Sequence, residues 1–306
     1  MTLISTTSNI AESAPDWRDF VEICKPRVVL LMLLCSLVGM FMAGDSLVPL
    51  RILLLANLGI ALVASSAAAL NHLIDSGIDA RMSRTKNRPV AQGRIKPMQG
   101  AIFVGITGIL GLSILAFFIN PLTAWLNFAS WLGYGVIYSV YLKRLTPQNI
   151  VIGGLFGAAP PLFGWTSVTG TIDGGGLILV LIIFAWTPPH FWALAIDRKE
   201  EYRDVRVPML PVTHGEAYTK LHILLYTMIL IICSVLPYLI GMSNIFYLIS
   251  ALALGTGFMY WSLSMIFGKS DSAPYDTFRY SIFYLAALFL SLLIDHHLLP
   301  VTYVIN

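Results

Sequence analysis

The sequence predicts an all-α, polytopic membrane protein with nine transmembrane helices. Three observations carry that expectation. Of 306 residues, 57% are hydrophobic and 11% charged, with a mean hydropathy of +0.77; a soluble domain carries about 25% charged residues. Apolar segments of roughly 20 residues, the length that crosses a hydrocarbon core, recur along the whole chain. The basic residues collect in alternate connections between these segments, as they do when one membrane face gathers Lys and Arg.

The elements follow in order. Residues 1–24 are polar and mixed and lack the apolar run of a cleavable leader, so they are expected to form a cytoplasmic tail. Residues 25–306 are expected to form a single transmembrane domain. The spans are placed at 27–44, 50–70, 100–119, 122–142, 149–167, 177–196, 221–241, 244–267 and 279–299. Pro121 and the Ser243-Asn244 pair mark tight turns, and 169–176 is a short polar, Gly-rich loop. Arg18, Lys25 and Arg27 belong to the N-terminal segment that leads into the first span. Arg81, Arg84, Lys86, Arg88, Arg94 and Lys96 follow the second, and Lys143 and Arg144 follow the fourth. Arg198, Lys199, Arg203, Arg206 and Lys220 follow the sixth, and Lys269 and Arg279 the eighth. Only Arg51 falls on the other side, which puts the N-terminus in the cytoplasm and the C-terminus outside. Cys24, Cys35 and Cys233 form no CxxC pair and read as inert thiols in or near apolar helices.

Two acidic clusters close long apolar segments, where carboxylates are costly. The first is NHLIDSGID, residues 71–79, and the second is DRKEE, residues 197–201. On a helix, positions i, i+4 and i+8 share nearly one face. Asn71, Asp75 and Asp79 are therefore expected to project together, and Asp197 and Glu201 likewise. Mg²⁺ takes oxygen ligands, commonly one or two carboxylates plus substrate phosphate. Two such faces point to Mg²⁺ holding a diphosphate. A weak likeness between 68–75 and 191–197 suggests a duplicated four-helix unit with its two sites facing each other across a cavity. The basic run 81–89 follows the first cluster directly. Arg81, Arg84, Lys86, Arg88, Lys143, Arg144 and Arg198 are candidate diphosphate partners, Arg as a bidentate fork and Lys as a point charge. These short juxtamembrane groups come with no soluble module, so nucleic acid is not an expected partner.

Residues 71–93, NHLIDSGIDARMSRTKNRPVAQG, resemble the first signature of the UbiA-type intramembrane prenyltransferases. Four stretches narrow the resemblance to that family's haem-farnesylating branch: IDARMSRTKNRP, 142–165 (LKRLTPQNIVIGGLFGAAPPLFGW), 187–196 (TPPHFWALAI), and Tyr202 with VPMLPV at 207–212. The resemblance runs from about Cys24-Lys25-Pro26-Arg27 to the last span. It implies a UbiA-type fold, nine helices around a central cavity in the bacterial inner membrane. It also implies Mg²⁺-dependent transfer of farnesyl from farnesyl diphosphate to a haem B vinyl group. Water addition then gives the hydroxyethylfarnesyl group of haem O, used by terminal oxidases.

By position, Asn71, Asp75 and Asp79 would bind Mg²⁺-diphosphate, and Asp197 and Glu201 would form the second acidic motif. Glu stands there in place of the more usual Asp, and the branch pattern favours Glu201. The implied reaction begins by ionisation. Tyr134, Tyr138, Phe156, Phe163, Trp165, Trp186, Phe191 and Trp192 are candidates to face the allylic cation. His190, beside the Pro188-Pro189 pair, is a candidate haem contact, and His72 sits next to the metal motif. Haem A synthase or a terminal oxidase would be partners for the product; the oligomeric state stays open. Two other functions remain: a prenyltransferase of the same fold with a hydroxybenzoate, naphthoate or chlorophyllide acceptor, and a transporter using membrane carboxylates. TPPHFWALAI and VPMLPV argue against the first. Acids at helix ends rather than mid-membrane argue against the second.

Overall fold

The computed structural model describes residues 15–44, 46–268 and 270–298. Most of the expected tail, Lys269, residue 299 and the C-terminus lie outside the described residues. All regular secondary structure among the described residues is helical. A short helix, α1 (Trp17–Ile23), meets α2 (Pro26–Met42) at a 53° bend. Pro26 opens α2, where its missing N–H leaves no bond unmade. The helix α3 (Leu50–Asp79) is a single 30-residue rod, and α4 (Pro97–Ile114) returns and widens into π-helical turns to Ile119. Asn120 caps the next helix, α5 (Pro121–Trp131), its side chain accepting from the Thr123 amide at 2.8 Å. From Leu132 to Leu142 that helix continues in π-helical form and ends in α6 (Lys143–Leu145).

The expected span 149–167 is two helices, α7 (Asn149–Gly157) and α8 (Pro160–Thr169). Pro160 and Pro161 cannot donate, so they restart the helix rather than continue it. The sixth span is α9 (Gly174–Asp197), which runs through Pro188 and Pro189. Two short helices, α10 (Lys199–Asp204) and α11 (Leu210–Thr213), lead to α12 (Glu216–Leu239), α13 (Ile245–Phe267) and α14 (Ala273–Leu298). Among the described residues seven helices, counting each broken pair once, are long and apolar enough to cross a membrane, and the bent α1–α2 pair makes an eighth. The remaining expected span, 122–142, corresponds to α5 with its π-helical continuation.

Small residues let the helices approach closely where lipid supplies no hydrophobic drive between them. At the α2–α8 contact a Cβ on Gly39 would lie 1.9 Å from the Pro161 carbonyl oxygen, and one on Gly164 1.9 Å from that of Ser36. An apolar cluster of Ile78, Met82, Ile196, Val205, Leu210, Met265 and Ala273 gathers the ends of α3, α9 and α13 and the start of α14. Both acidic segments therefore lie at one end of the bundle. Arg94 docks α1 there by pairing with buried Asp19 and donating to the Asn87 carbonyl.

Candidate active site

The first motif is one continuous helical face. Asn71, Asp75 and Asp79 are 4%, 1% and 3% exposed, so their polar groups need partners inside the protein. Asn71 Nδ2 donates to Asp75 Oδ2 at 2.8 Å and to Ser139 Oγ at 3.0 Å. Asn71 Oδ1 accepts from Lys25 Nζ at 2.6 Å. Lys143 Nζ lies 2.6 Å from Asp75 Oδ2, and an Arg88 guanidinium nitrogen lies 2.7 Å from Asp79 Oδ2. Thr85 Oγ1 donates to the Asp79 carbonyl, which folds the basic loop back over the helix end.

Lys25, read from sequence only as an orienting charge and as part of the resemblance, and Ser139, not singled out, were not expected in the site, because their partner lies 46 and 68 positions away. Lys25 has φ 52°, ψ 60°, a left-handed conformation that a non-glycine residue rarely holds without tertiary support. Burial pushes its ammonium down to about 8, with Arg88 acting the same way and Asp75 and Asp79 opposing. Ser139 reaches α3 through the π-helical stretch, its hydroxyl also lying 2.9 Å from the Tyr134 carbonyl five residues back. The same wide turn stacks Tyr134 on Tyr138, centroids 5.5 Å apart at 10°.

The second motif departs from expectation. Asp197 ends α9, Glu201 belongs to α10, and Arg198 between them breaks the helix at φ −111°, ψ 24°. The two acids do not share the face of one continuous helix. Arg198 gathers them instead, 3.0 Å from Glu201 Oε1 and 3.9 Å from Asp197 Oδ2. Glu200 pairs with Arg203 and stands exposed. Tyr202 lies within electrostatic reach of both Arg84 and Arg198; burial pushes its phenol up, those cations oppose, and Glu201 reinforces the rise. Ile78, beside the first motif, and Val205, just after the second, belong to one apolar cluster, so the two motifs are neighbours at that end of the bundle.

The basic candidates divide. Lys143 and Arg88 hold the first motif and Arg198 the second, while Arg84 is exposed and acts electrostatically on Tyr202 and Lys25. Lys86 is exposed on the loop. Arg81 and Arg144 lean on the Gly77 and Ile74 carbonyls, on a different face of α3 from the acids. With Arg206 they line a separate pocket floored by Ile74, Ile78, Val205 and Val207.

Among the described residues no three His, Cys, Asp or Glu side chains group into a site that alone could hold a metal ion. Mg²⁺ bound to a diphosphate needs only one or two carboxylates, because phosphate oxygens and water complete its shell. Two buried oxygens fit that role. Asp75 Oδ1 and Glu201 Oε2, one from each motif, have no hydrogen-bond partner among the described residues. A buried unpaired carboxylate oxygen is costly and calls for a cation or donor. His72 is buried beside Asn71 with neither ring nitrogen partnered among those residues.

Behind the polar end lies a cavity of about 350 Å³. Lys25 stands on its wall, and the rest is largely apolar and aromatic. The acid-bearing helices α3 and α9 both line it, through Ile60, Val63, Ala67 and Ala68 and through Ile183, Trp186 and His190. Of the aromatic candidates, Tyr134, Tyr138, Phe156, Phe163, Trp186 and Phe191 face this space. Trp165 instead donates to Asp173, and Trp192 packs edge-on to Tyr226. Gly153 leaves room for Tyr138, whose ring would lie 2.4 Å from a Cβ there. A diphosphate held at the motifs would thus carry its hydrocarbon tail into an apolar chamber.

Residues 32–293 match the model of the UbiA prenyltransferase family. A protein of Saccharophagus degradans named protoheme IX farnesyltransferase is 59% identical over 93% of this chain and 94% of its own length. Relatives of that name from Teredinibacter turnerae and Hahella chejuensis are 56% and 58% identical over 97% and 95% of the chain, and 96% and 97% of their own. Among solved structures, one described as digeranylgeranylglyceryl phosphate synthase in membranes superposes with a TM-score of 0.79 at 19% identity, covering 92% of this chain and 98% of the other. A UbiA homologue from Archaeoglobus fulgidus bound to GPP and Mg²⁺ gives 0.61 at 15% identity, covering 90% and 99%. At such identities the shared property is the fold.

Proposed function

The chain belongs to the UbiA prenyltransferase family, and from that premise we propose how its site works and on what. It is a membrane prenyltransferase that transfers farnesyl from farnesyl diphosphate to the vinyl group of haem B, giving haem O. The observation that carries this reading is the junction at Lys25. There a buried Asn/Asp face with three attendant cations meets an aromatic-walled apolar cavity.

Asn71, Asp75, Asp79 and Glu201, with Asp197 beside them, would hold Mg²⁺-diphosphate; the unpartnered Asp75 Oδ1 and Glu201 Oε2 support this assignment. The metal, when bound, neutralises charge building on the departing diphosphate. Lys25, Arg84, Arg88, Lys143 and Arg198 bind the phosphate oxygens, and Lys143 and Arg88 exchange their carboxylate partners to do so. The allylic carbon–oxygen bond breaks, and the Tyr134 and Tyr138 faces favour the cation and keep water from it. The vinyl group bonds to that carbon. Water adds at the adjacent cationic centre and loses a proton. The end of the bundle that bears the motifs faces the cytoplasm of an inner membrane, where phosphorylated metabolites are found.

The test is purified protein in lipid nanodiscs with haem B, farnesyl diphosphate and Mg²⁺, read by mass spectrometry. Haem O is the expected product. A folded preparation that leaves haem B unchanged in every lipid, while prenylating a hydroxybenzoate or naphthoate, would replace the acceptor assignment.

A further inference from the structure

His190 lines the cavity from α9 and is 9% exposed. Its ring lies between Trp186, with centroids 4.1 Å apart at 21°, and Phe278 of α14, at 4.7 Å and 31°. Phe191 meets it edge-on at 5.0 Å. The imidazole is therefore held in one plane by aromatic neighbours.

Hydrogen-bond accounting fixes its protonation pattern. His190 Nδ1 lies 2.7 Å from Ser281 Oγ. A serine hydroxyl has one proton to give, and Ser281 gives it to the Phe278 carbonyl at 2.6 Å. Toward His190 that oxygen can only accept, so Nδ1 carries the hydrogen. A neutral imidazole has one N–H, so Nε2 keeps its lone pair. The Trp186 indole donates to the Ser281 carbonyl at 2.7 Å, tying α9 to the same serine's backbone. A histidine that binds metal commonly shows this pattern: one ring nitrogen donates to a fixed oxygen and the other offers its lone pair.

We propose that His190 Nε2 ligates the iron of the tetrapyrrole acceptor, and that Ser281 is the positioning residue that fixes the ring's tautomer and plane. The proposal rests on the haem B reading above. A planar macrocycle tethered at its central iron can present only an edge to the rest of the cavity. The vinyl groups lie on that edge, so ligation from the wall sets their distance from the allylic carbon.

The experiment titrates haem B into the purified protein without farnesyl diphosphate. It follows the Soret band and the iron–imidazole stretch of the ferrous complex. The wild type should show that stretch. His190→Ala and His190→Gln should lose it and bind haem at least about tenfold more weakly, which is about 1.4 kcal/mol; added imidazole should restore the spectrum. Binding of metal-free protoporphyrin IX should be the same in all three. Ser281→Ala should keep the ligand but shift the stretch and raise KM for haem B more than it lowers kcat, and Ser281→Thr should restore both. A wild-type protein that makes haem O but shows no iron–imidazole stretch overturns the proposal, as does a His190→Gln spectrum identical to wild type. A wild-type protein that binds haem but makes no haem O overturns the acceptor reading instead.

Discussion

Replacing Lys143 by Met removes the cation from Asp75 and keeps most of the apolar stem. Asp75 is 1% exposed, its Oδ1 has no partner among the described residues, and its Oδ2 is shared between Lys143 at 2.6 Å and Asn71 at 2.8 Å. Breaking a buried ion pair on one side costs about 3–5 kcal/mol, because the remaining charge is left without compensation. The Asn71 hydrogen bond and the 16% exposure of the Lys143 side chain put this case at the lower end, about 3 kcal/mol. At about 2 °C per kcal/mol for a chain of this size, the melting midpoint in chelator should fall by roughly 6 °C. The vacated carboxylate is then free for a divalent cation. Mg²⁺ with inorganic diphosphate should therefore raise the variant's midpoint more than the wild type's, while turnover stays low for want of a phosphate partner. The assay is thermal unfolding in detergent, followed by intrinsic fluorescence, with and without Mg²⁺-diphosphate. Equal midpoints in chelator, or equal stabilisation by Mg²⁺-diphosphate, would refute the idea that Lys143 and the metal compete for Asp75.

Asp79→Ala should reduce haem O formation below detection while leaving the detergent-solubilised protein monodisperse; near-normal turnover would remove Asp79 from the metal site. Gly164→Ala puts a Cβ 1.9 Å from the Ser36 carbonyl oxygen, so α2 must move away from α8. A loss of about 1–3 kcal/mol should appear as a lower melting midpoint. Turnover should fall too, because α2 begins beside Lys25. Gly105→Ala, whose new Cβ meets no neighbouring side chain or packed helix within 4 Å, is the control and should melt no lower than the wild type, since Ala favours a helix interior over Gly. Arg206 has φ 59°. Arg206→Gly should leave the midpoint unchanged or raise it by the equivalent of up to about 1 kcal/mol, since L-residues pay about 1–2 kcal/mol in that region. A clear drop would mean that the Arg206 side chain stabilises the fold.

The membrane class was legible because hydropathy is a sum over local residues, and apolar length alone sets what can cross a bilayer. The first motif was legible for a related reason. Asn71, Asp75 and Asp79 lie within one helix, so spacing gives their common face directly. The second motif shows the limit of that argument. The same four-residue spacing fails at Arg198, where the helix breaks, and the pair is joined by an arginine rather than by periodicity. Arg81 and Arg144 show it too, since charge and proximity in sequence did not reveal that they occupy another face of α3.

By itself, then, the sequence determined the helical membrane class, the approximate spans, the acid-bearing face of α3 and, by resemblance, the family. Each depends on near neighbours or on residue identities that survive without coordinates. Only the tertiary structure decided which cation meets which acid, that Lys25 and Ser139 hold Asn71, and that π-helical turns bring Tyr134 and Tyr138 to the cavity. It alone showed that the one proton of Ser281 settles which nitrogen His190 presents. The Lys25–Asn71, Lys143–Asp75 and His190–Ser281 contacts join positions 46, 68 and 91 residues apart, and only packing fixes such pairs, because contacts between distant segments leave no periodic trace in the chain.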